Sequence, residues 1–198
     1  MESKRGLAVI VGSGVFLSLL ILAGRHSQDS ELAQAQAYAQ AVMWSAIPRQ
    51  QAFLLIEKYG PPQHLSDDRM EWDGQWPWKS ITVSADHPLS PLTETVSCHV
   101  PKEKIADLAR YPHGLTADAR RGELAARSDS EALNFLSLNL GMDILNGQTT
   151  PEAASQYFYK AIDLHYAGKS VPYMERLLFD VPPLQPLPTA RMRFREKF

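Results

Sequence analysis

A chain of 198 residues is long enough for one domain and a tail and too short for two full domains. A hydrophobic content of 44% with 21% charged residues supports a packed core, and a formal net charge of -2 argues against a nucleic-acid-binding protein. The one cysteine, Cys98, excludes an internal disulfide scaffold and a zinc ribbon.

At the N-terminus, Lys4 and Arg5 precede an uncharged run from Gly6 to Gly24 that as a helix extends roughly 28 Å at about 1.5 Å per residue. That length nearly matches a bilayer core, with Leu7, Val9, Ile10, Val15, Phe16, Leu19, Leu20 and Leu22 as the lipid-facing residues. The apolar residues run all round, without the one-sided stripe of a soluble helix, which favours a transmembrane segment over a buried core helix. Cations on the short N-terminal side favour a cytoplasmic N-terminus, so the chain after Arg25 is expected on the periplasmic or extracytoplasmic side of a cell membrane. Ala35-Gln36-Ala37 comes too late for a cleavage site, and Arg25 stands where a lipid-bearing cysteine would follow Leu22-Ala23-Gly24. An uncleaved single-pass signal anchor is therefore preferred to a cleaved signal. The expected organisation is a signal anchor over residues 1–28, an α+β envelope domain over 29–180 and a Pro-rich basic tail over 181–198.

Asp29 or Ser30 can cap a helix running to about Ile47, with Leu32, Ala35, Ala39, Val42, Met43 and Ala46 at helical spacing and Pro48 as its interruption. A second helix through Phe53, Leu54, Ile56 and Tyr59 ends at Gly60 and Pro61-Pro62. Arg69 to Trp72 and Trp76 to Ser84 flank the turn pair Asp73-Gly74, which predicts a hairpin. From Thr93 to Val100 the alternation places Val96, Cys98 and Val100 on the buried face of a strand. Pro101 can start a short helix containing Ile105 and Leu108, and Leu115 to Arg127 reads as a strand pair turning near Arg121-Gly122. About five antiparallel strands result.

Ser128 and Glu131 fit a capping box before the run Ala132, Leu133, Phe135, Leu136, Leu140 and Ile144, which closes at Asn146-Gly147. Thr150-Pro151-Glu152 starts a last helix to about Ala167, followed by Gly168, so two C-terminal helices are expected on the sheet. From Val181 to Pro188 the prolines favour extended geometry. The end of this arm alternates cations with apolar residues, and Arg191, Arg193, Phe194 and Arg195 could add to a sheet edge or contact a partner or anionic lipid.

Three blocks together, Glu57-Lys58-Tyr59-Gly60-Pro61-Pro62, the Trp-Pro-Trp-Lys of residues 76 to 79, and Asn134-Phe135-Leu136-Ser137-Leu138-Asn139-Leu140 with Asp143-Ile144, resemble a widespread family of exported or membrane-anchored bacterial proteins of unknown function. The resemblance covers about residues 50 to 180 and implies no catalytic or binding residue. In layout alone, a helix, then Tyr-Gly-Pro-Pro, then a Trp-bearing hairpin is similar to small outer-membrane assembly lipoproteins of the BamE type, which are scaffolding subunits.

Signals for specific chemistry are weak. Glu71, Asp73 and Gly74 match positions three, five and six of an EF-hand loop, but Arg69 and Ser80 fall at positions one and twelve, which excludes that motif. The six histidines (26, 64, 87, 99, 113 and 165) include no pair spaced for two ligands on one helix face, and neither Gly-x-Ser-x-Gly nor Ser-x-x-Lys occurs. Trp72, Trp76 and Trp78 offer a core layer, a partner surface or a sugar platform. The function expected is a membrane-tethered, non-catalytic accessory or assembly subunit of a larger membrane or envelope complex. It needs no cofactor, contacts lipid through residues 6–24, and docks through Trp72, Trp76, Trp78 and the basic arm. The alternative is an envelope enzyme or a small-ligand or metal-binding protein, with a site built from the acidic turn, His64 or His87, and the tryptophans.

Overall fold

A computed structural model describes residues 28–183. The expected membrane residues Leu7 to Leu22 and the arm residues Arg191, Arg193, Phe194 and Arg195 lie outside that range. Among the described residues, no helix is long and apolar enough to cross a membrane. These residues form an α+β arrangement of six α-helices and one six-stranded antiparallel sheet.

Helix α1 occupies residues 28–42 and α2 occupies Ala46–Tyr59. Residues 28–30 are already helical, so neither Asp29 nor Ser30 is a cap. The break comes at 43–45, upstream of Ile47, and Pro48 sits in the first turn of α2. Proline lacks an N–H and its ring collides with the carbonyl four residues back, here that of Trp44, so the helix must restart before it. The break is then pinned. The Trp44 indole and the Gln40 amide both donate to the carbonyl of Asp67, each at 2.7 Å.

The faces of α1 are opposite to expectation. Ala37, Ala41 and Trp44 are buried, with Tyr38 edge-on to Phe53 of α2 at 5.2 Å, whereas Leu32, Ala35, Ala39, Val42 and Met43 are exposed. The buried stripe also has helical spacing but is less hydrophobic than the exposed one.

The strands are β1 (His64–Leu65), β2 (Arg69–Asp73), β3 (Ser80–Ser84), β4 (Leu92–Ser97), β5 (Leu115–Asp118) and β6 (Glu123–Ser128), in the spatial order β1-β2-β3-β4-β6-β5. Alternation puts one face inward. A single row across it contains Trp72, Ile81, Glu94, Ala126 and Leu115, each paired with the next. The other face, which carries Glu71, Thr82, Thr93 and Thr95, is half-buried, as suits an antiparallel sheet covered on one side. The predicted hairpin forms, but β3 begins only at Ser80, leaving Gly74 to Lys79 as a loop with a cis Trp76-Pro77 bond. Trp76 and Trp78 therefore do not share a strand face. The expected burial of Val96 and Val100 is observed, and Cys98 between them is half-buried.

After a 3-10 turn at Lys102–Lys104, α3 covers Ile105–Ala109. Helix α4 (Glu131–Leu145) lies against β4, β5 and β6, with α5 (Pro151–Tyr166) and the short α6 (Pro172–Glu175) on its other side. The start of α5 is as predicted: Thr150 Oγ1 accepts from the Ala153 N–H at 3.2 Å and Pro151 is the first helical residue. The capping box before α4 does not form. Ser130 occupies the cap position, the Ser128 hydroxyl donates to the Ser130 carbonyl at 2.7 Å, and Glu131 turns away to Lys58.

Gly114 joins α3 to the sheet where only glycine fits. Its φ is 70°, and an added Cβ would strike the carbonyl of Arg127, whose N–H donates to Gly114 O at 2.9 Å. Gly114→Ala is expected to lower unfolding stability by about 3 kcal/mol. Gly147→Ala, with the same φ but open space around it, should cost only about 1 kcal/mol. Urea denaturation midpoints of the two variants test the contrast.

Candidate functional site

The three tryptophans expected at a contact surface are divided by the fold. Trp72 is fully buried and its indole donates to the carbonyl of Gly60 at 3.0 Å, at the end of α2. Trp78 is also buried and stacks on Phe135 of α4 with ring centroids 5.4 Å apart. Both are core residues, the correction that removes them from a partner surface. Only Trp76, 66% exposed, is available to a partner.

Of the residues of the alternative site, the structure brings His64 and the acidic turn together and keeps the buried Trp72 and Trp78 out of reach. His64 on β1 lies 3.5 Å from the Asp73 carboxylate and, with Leu65, Ser66, Asp68, Arg69 and Glu71, lines an open depression of about 500 Å³ at the sheet edge. Asp68 is held below the usual carboxylate range by the hydroxyl of Ser66, which donates to it at 2.8 Å. His87 is exposed in the turn between β3 and β4. Among the described residues, no group of three or more His, Cys, Asp or Glu side chains is placed to hold a metal ion.

Titratable groups do converge beneath the first turn of α4, around Glu94, a residue with no role in the sequence analysis. Glu94 is wholly buried in the inward row, between Ile81 and Ala126. Asn134 of α4 donates to its Oε2 at 3.0 Å and to the Leu92 carbonyl at 3.3 Å. Burial, and after it the negative charge of nearby Glu131, pushes the Glu94 carboxyl up to about 8, against the opposing pull of Asn134. The geometry agrees with a neutral acid: Glu94 Oε1 and Asn134 Oδ1 are both buried without partners, and a proton on Glu94 turns one bare acceptor into a donor. Glu131 is held by Lys58 Nζ through both carboxylate oxygens, at 2.7 and 2.9 Å. Lys58 lies over the Tyr59 ring at 5.1 Å. Burial works against its charge, yet Glu131 and Tyr59 together raise its proton affinity. This network ties α2, β4 and α4 together. Its acid is sealed, so it holds a proton without reaching a substrate. The alternation that placed Val96 inward also places Glu94 inward, which is the signal that identifies it in the sequence.

A second constellation joins His113 and Ser155, whose Nε2 and Oγ are 2.8 Å apart. The imidazole lies parallel to Phe158 at 3.8 Å and edge-on to Tyr111 and Tyr159 at 4.9 and 5.2 Å. Burial lowers its basicity, which leaves the neutral ring free to accept from the serine hydroxyl. Among the described residues, no carboxylate is hydrogen-bonded to His113 to orient it as a triad base. The cluster clamps α5 to the segment before β5.

The most distinctive surface is the outer side of α1 and α2. Leu32, Val42, Met43 and Leu54 are exposed by 61, 55, 79 and 50%. On α2 a shallow groove of about 380 Å³ lies between Ala46, Arg49, Gln50, Phe53, Leu54 and Glu57. In comparisons with family models, curated proteins and solved structures, the chain finds no match.

Glu94 sets a pH dependence whose sign can be worked out. Unfolded, the carboxyl ionises near its ordinary 4.5, whereas folded it retains its proton to about 8. Its contribution to stability is full below pH 4.5, falls as pH rises toward 8, and is constant beyond. Glu94→Gln keeps the shape and supplies a neutral donor and acceptor, so it should flatten that decline and stabilise the chain at pH 7 by on the order of 3 kcal/mol. Thermal unfolding from pH 5 to 9 measures both effects.

Proposed function

We propose that the chain is a membrane-tethered, non-catalytic accessory or assembly subunit of a membrane or envelope protein complex, acting through protein contacts. The observation that supports this reading best is the bare apolar strip of α1. Large contiguous apolar patches are rare on proteins that work alone and mark interaction surfaces. This one follows directly on residues 1–27, whose run Gly6 to Gly24 has the length and polarity of a membrane span. A contact surface held beside the bilayer needs only modest intrinsic affinity, because tethering raises its effective concentration near a membrane partner. Trp76 and the arm residues Arg191, Arg193, Phe194 and Arg195 are secondary contacts in this reading. The enzyme alternative is not favoured, since Trp72 and Trp78 are enclosed in the core while His64 and His87 stand on exposed turns and edges.

Val42→Glu combined with Met43→Glu is expected to leave folding intact, because both side chains already face outward, while abolishing co-purification with a larger membrane protein from mild detergent. A parent chain that runs alone on native gels would overturn the proposal. Protease added outside intact spheroplasts should degrade the domain; full protection of the domain would refute its placement.

A further inference from the structure

The cluster around the buried Glu94 holds two carboxyls and one cation. From α4 it includes Glu131 and Asn134, and from α2 Lys58, with Tyr59 beside it; the neighbours of Glu94 in the inward row, Ile81 on β3 and Ala126 on β6, bring no charge. Lys58 binds Glu131 through both carboxylate oxygens. Among the described residues, the hydrogen-bond donor to Glu94 is the Asn134 amide, on Oε2, and Oε1 has none. Glu131 and Asn134 are three residues apart and so project from one face of α4, which brings the Glu131 carboxylate within hydrogen-bonding reach of Glu94. Adjacent carboxyls resist ionising together, and one proton between them supplies the donor that Oε1 lacks. That proton resides on Glu94, because the Lys58 ammonium and the dipole of the first turn of α4 favour the charge on Glu131, whereas Glu94 is enclosed in the core.

We infer that Glu94 and Glu131 share one proton and that its loss as pH rises releases the first turn of α4 from β4, a proton-operated latch that works whether or not the chain docks on a larger protein. A proton leaving Glu94 Oε1 passes to the Glu131 carboxylate, whose side chain is 28% exposed, and from there to solvent, so both carboxylates end charged. An anion at Glu94 cannot remain enclosed with a single amide as its partner, so the first turn of α4 must lift to admit water or Lys58. The opening stays local for three reasons. Helix α4 starts without a side-chain cap on its first turn. Beyond that turn, Ser137 and Asn139 still hold the helix through the carbonyls of His113, Tyr173 and Arg176, none of which titrates. The end of α2 keeps its own tie to β2 through the Trp72 indole. Burial moves the Glu94 carboxyl from 4.5 to about 8, so the open form gains on the closed one as pH rises between those values and gains no more beyond them.

The test of the latch is amide hydrogen exchange on the full chain in mild detergent, with Glu94→Gln measured at each pH to cancel the pH dependence of the exchange chemistry. In residues 131–137 the ratio of parent to Glu94→Gln exchange should rise about tenfold per pH unit from pH 5 to 8 and then level off. At pH 8 that exchange should be unmoved by low urea, which accelerates only openings that expose much surface. A flat ratio overturns the latch, and so does exchange that quickens with urea as steeply as in β3 and β4, because the segment then opens only with the whole chain. Infrared spectroscopy tests the shared proton. The parent at pH 6 should show a protonated-carboxyl band that Glu94→Gln lacks, at the lowered frequency of an acid donating to an anion, and the band should fade through pH 8. In Glu131→Gln it should move to higher frequency and fade at lower pH. A parent band at the frequency of a free carboxyl, or a band unmoved in Glu131→Gln, shows a proton held by Glu94 alone and overturns the sharing.

Discussion

The constraint on which the rest of the structure depends is that α4 is covered along its whole length. The sheet lies against one side and α3, α5 and α6 against the others, so any polar side chain on α4 must find its partner inside the protein. Asn134, Ser137 and Asn139 are each at most 2% exposed, and each does so. Asn134 reaches β4 through Glu94 and Leu92, and the Ser137 hydroxyl donates to His113 O at 2.8 Å. Asn139 donates to the carbonyls of Tyr173 and Arg176 and accepts from the Leu178 N–H, which fastens the segment around α6. Three short polar groups therefore specify how α4 sits against three different parts of the chain, a precision that apolar packing alone does not supply. Gly141 completes the fit, since an added Cβ would lie 2.6 Å from Leu115 Cδ2.

Along this helix, the block Asn134 to Leu140 acquires a physical meaning. Its apolar residues fill the core and its polar residues are staples. Tyr59-Gly60-Pro61-Pro62 acts similarly: the Gly60 carbonyl receives the Trp72 indole, so the end of α2 is fixed to β2. Both blocks are accounted for by folding requirements, and neither has to be attributed to chemistry on a substrate.

The legibility of the fold in the sequence follows the strength of the local signals. Helix α5 was readable because Thr150-Pro151 and Gly168 bracket one stripe, and β5 and β6 because their alternation is short and bounded by a turn. Trp76 and Trp78 misled because a run of aromatic residues resembles a strand, whereas Pro77 and the late start of β3 place them in a loop with opposite fates. Glu94 is hard to recognise in the sequence because a charge in an inward phase contradicts the expectation that cores are apolar. Its neighbours Asn134, Glu131 and Lys58 come from other parts of the chain, so the cluster exists only once the fold has formed. The Ser128–Glu131 motif failed for a related reason: a contact from Lys58, 73 residues away in the chain, outweighs a local cap.

Helix α1 carries the sharpest conflict between composition and placement. It has two stripes at helical spacing, and a fold governed only by burial of the greasiest side chains would turn Leu32, Val42 and Met43 inward. Instead the domain takes the stripe of small residues with Tyr38 and Trp44, because Trp44 and Gln40 have a shared acceptor at Asp67 and the alanines allow α1 to lie close to the body. Leaving the richer stripe outside costs free energy in the isolated chain at roughly 25 cal/mol for each Å² of apolar surface kept wet. That cost is recovered only where another apolar surface arrives, and a helix that follows a membrane-length apolar run is well placed to meet one. The inversion of α1 is therefore the feature of the fold for which the proposed docking role would supply a physical reason.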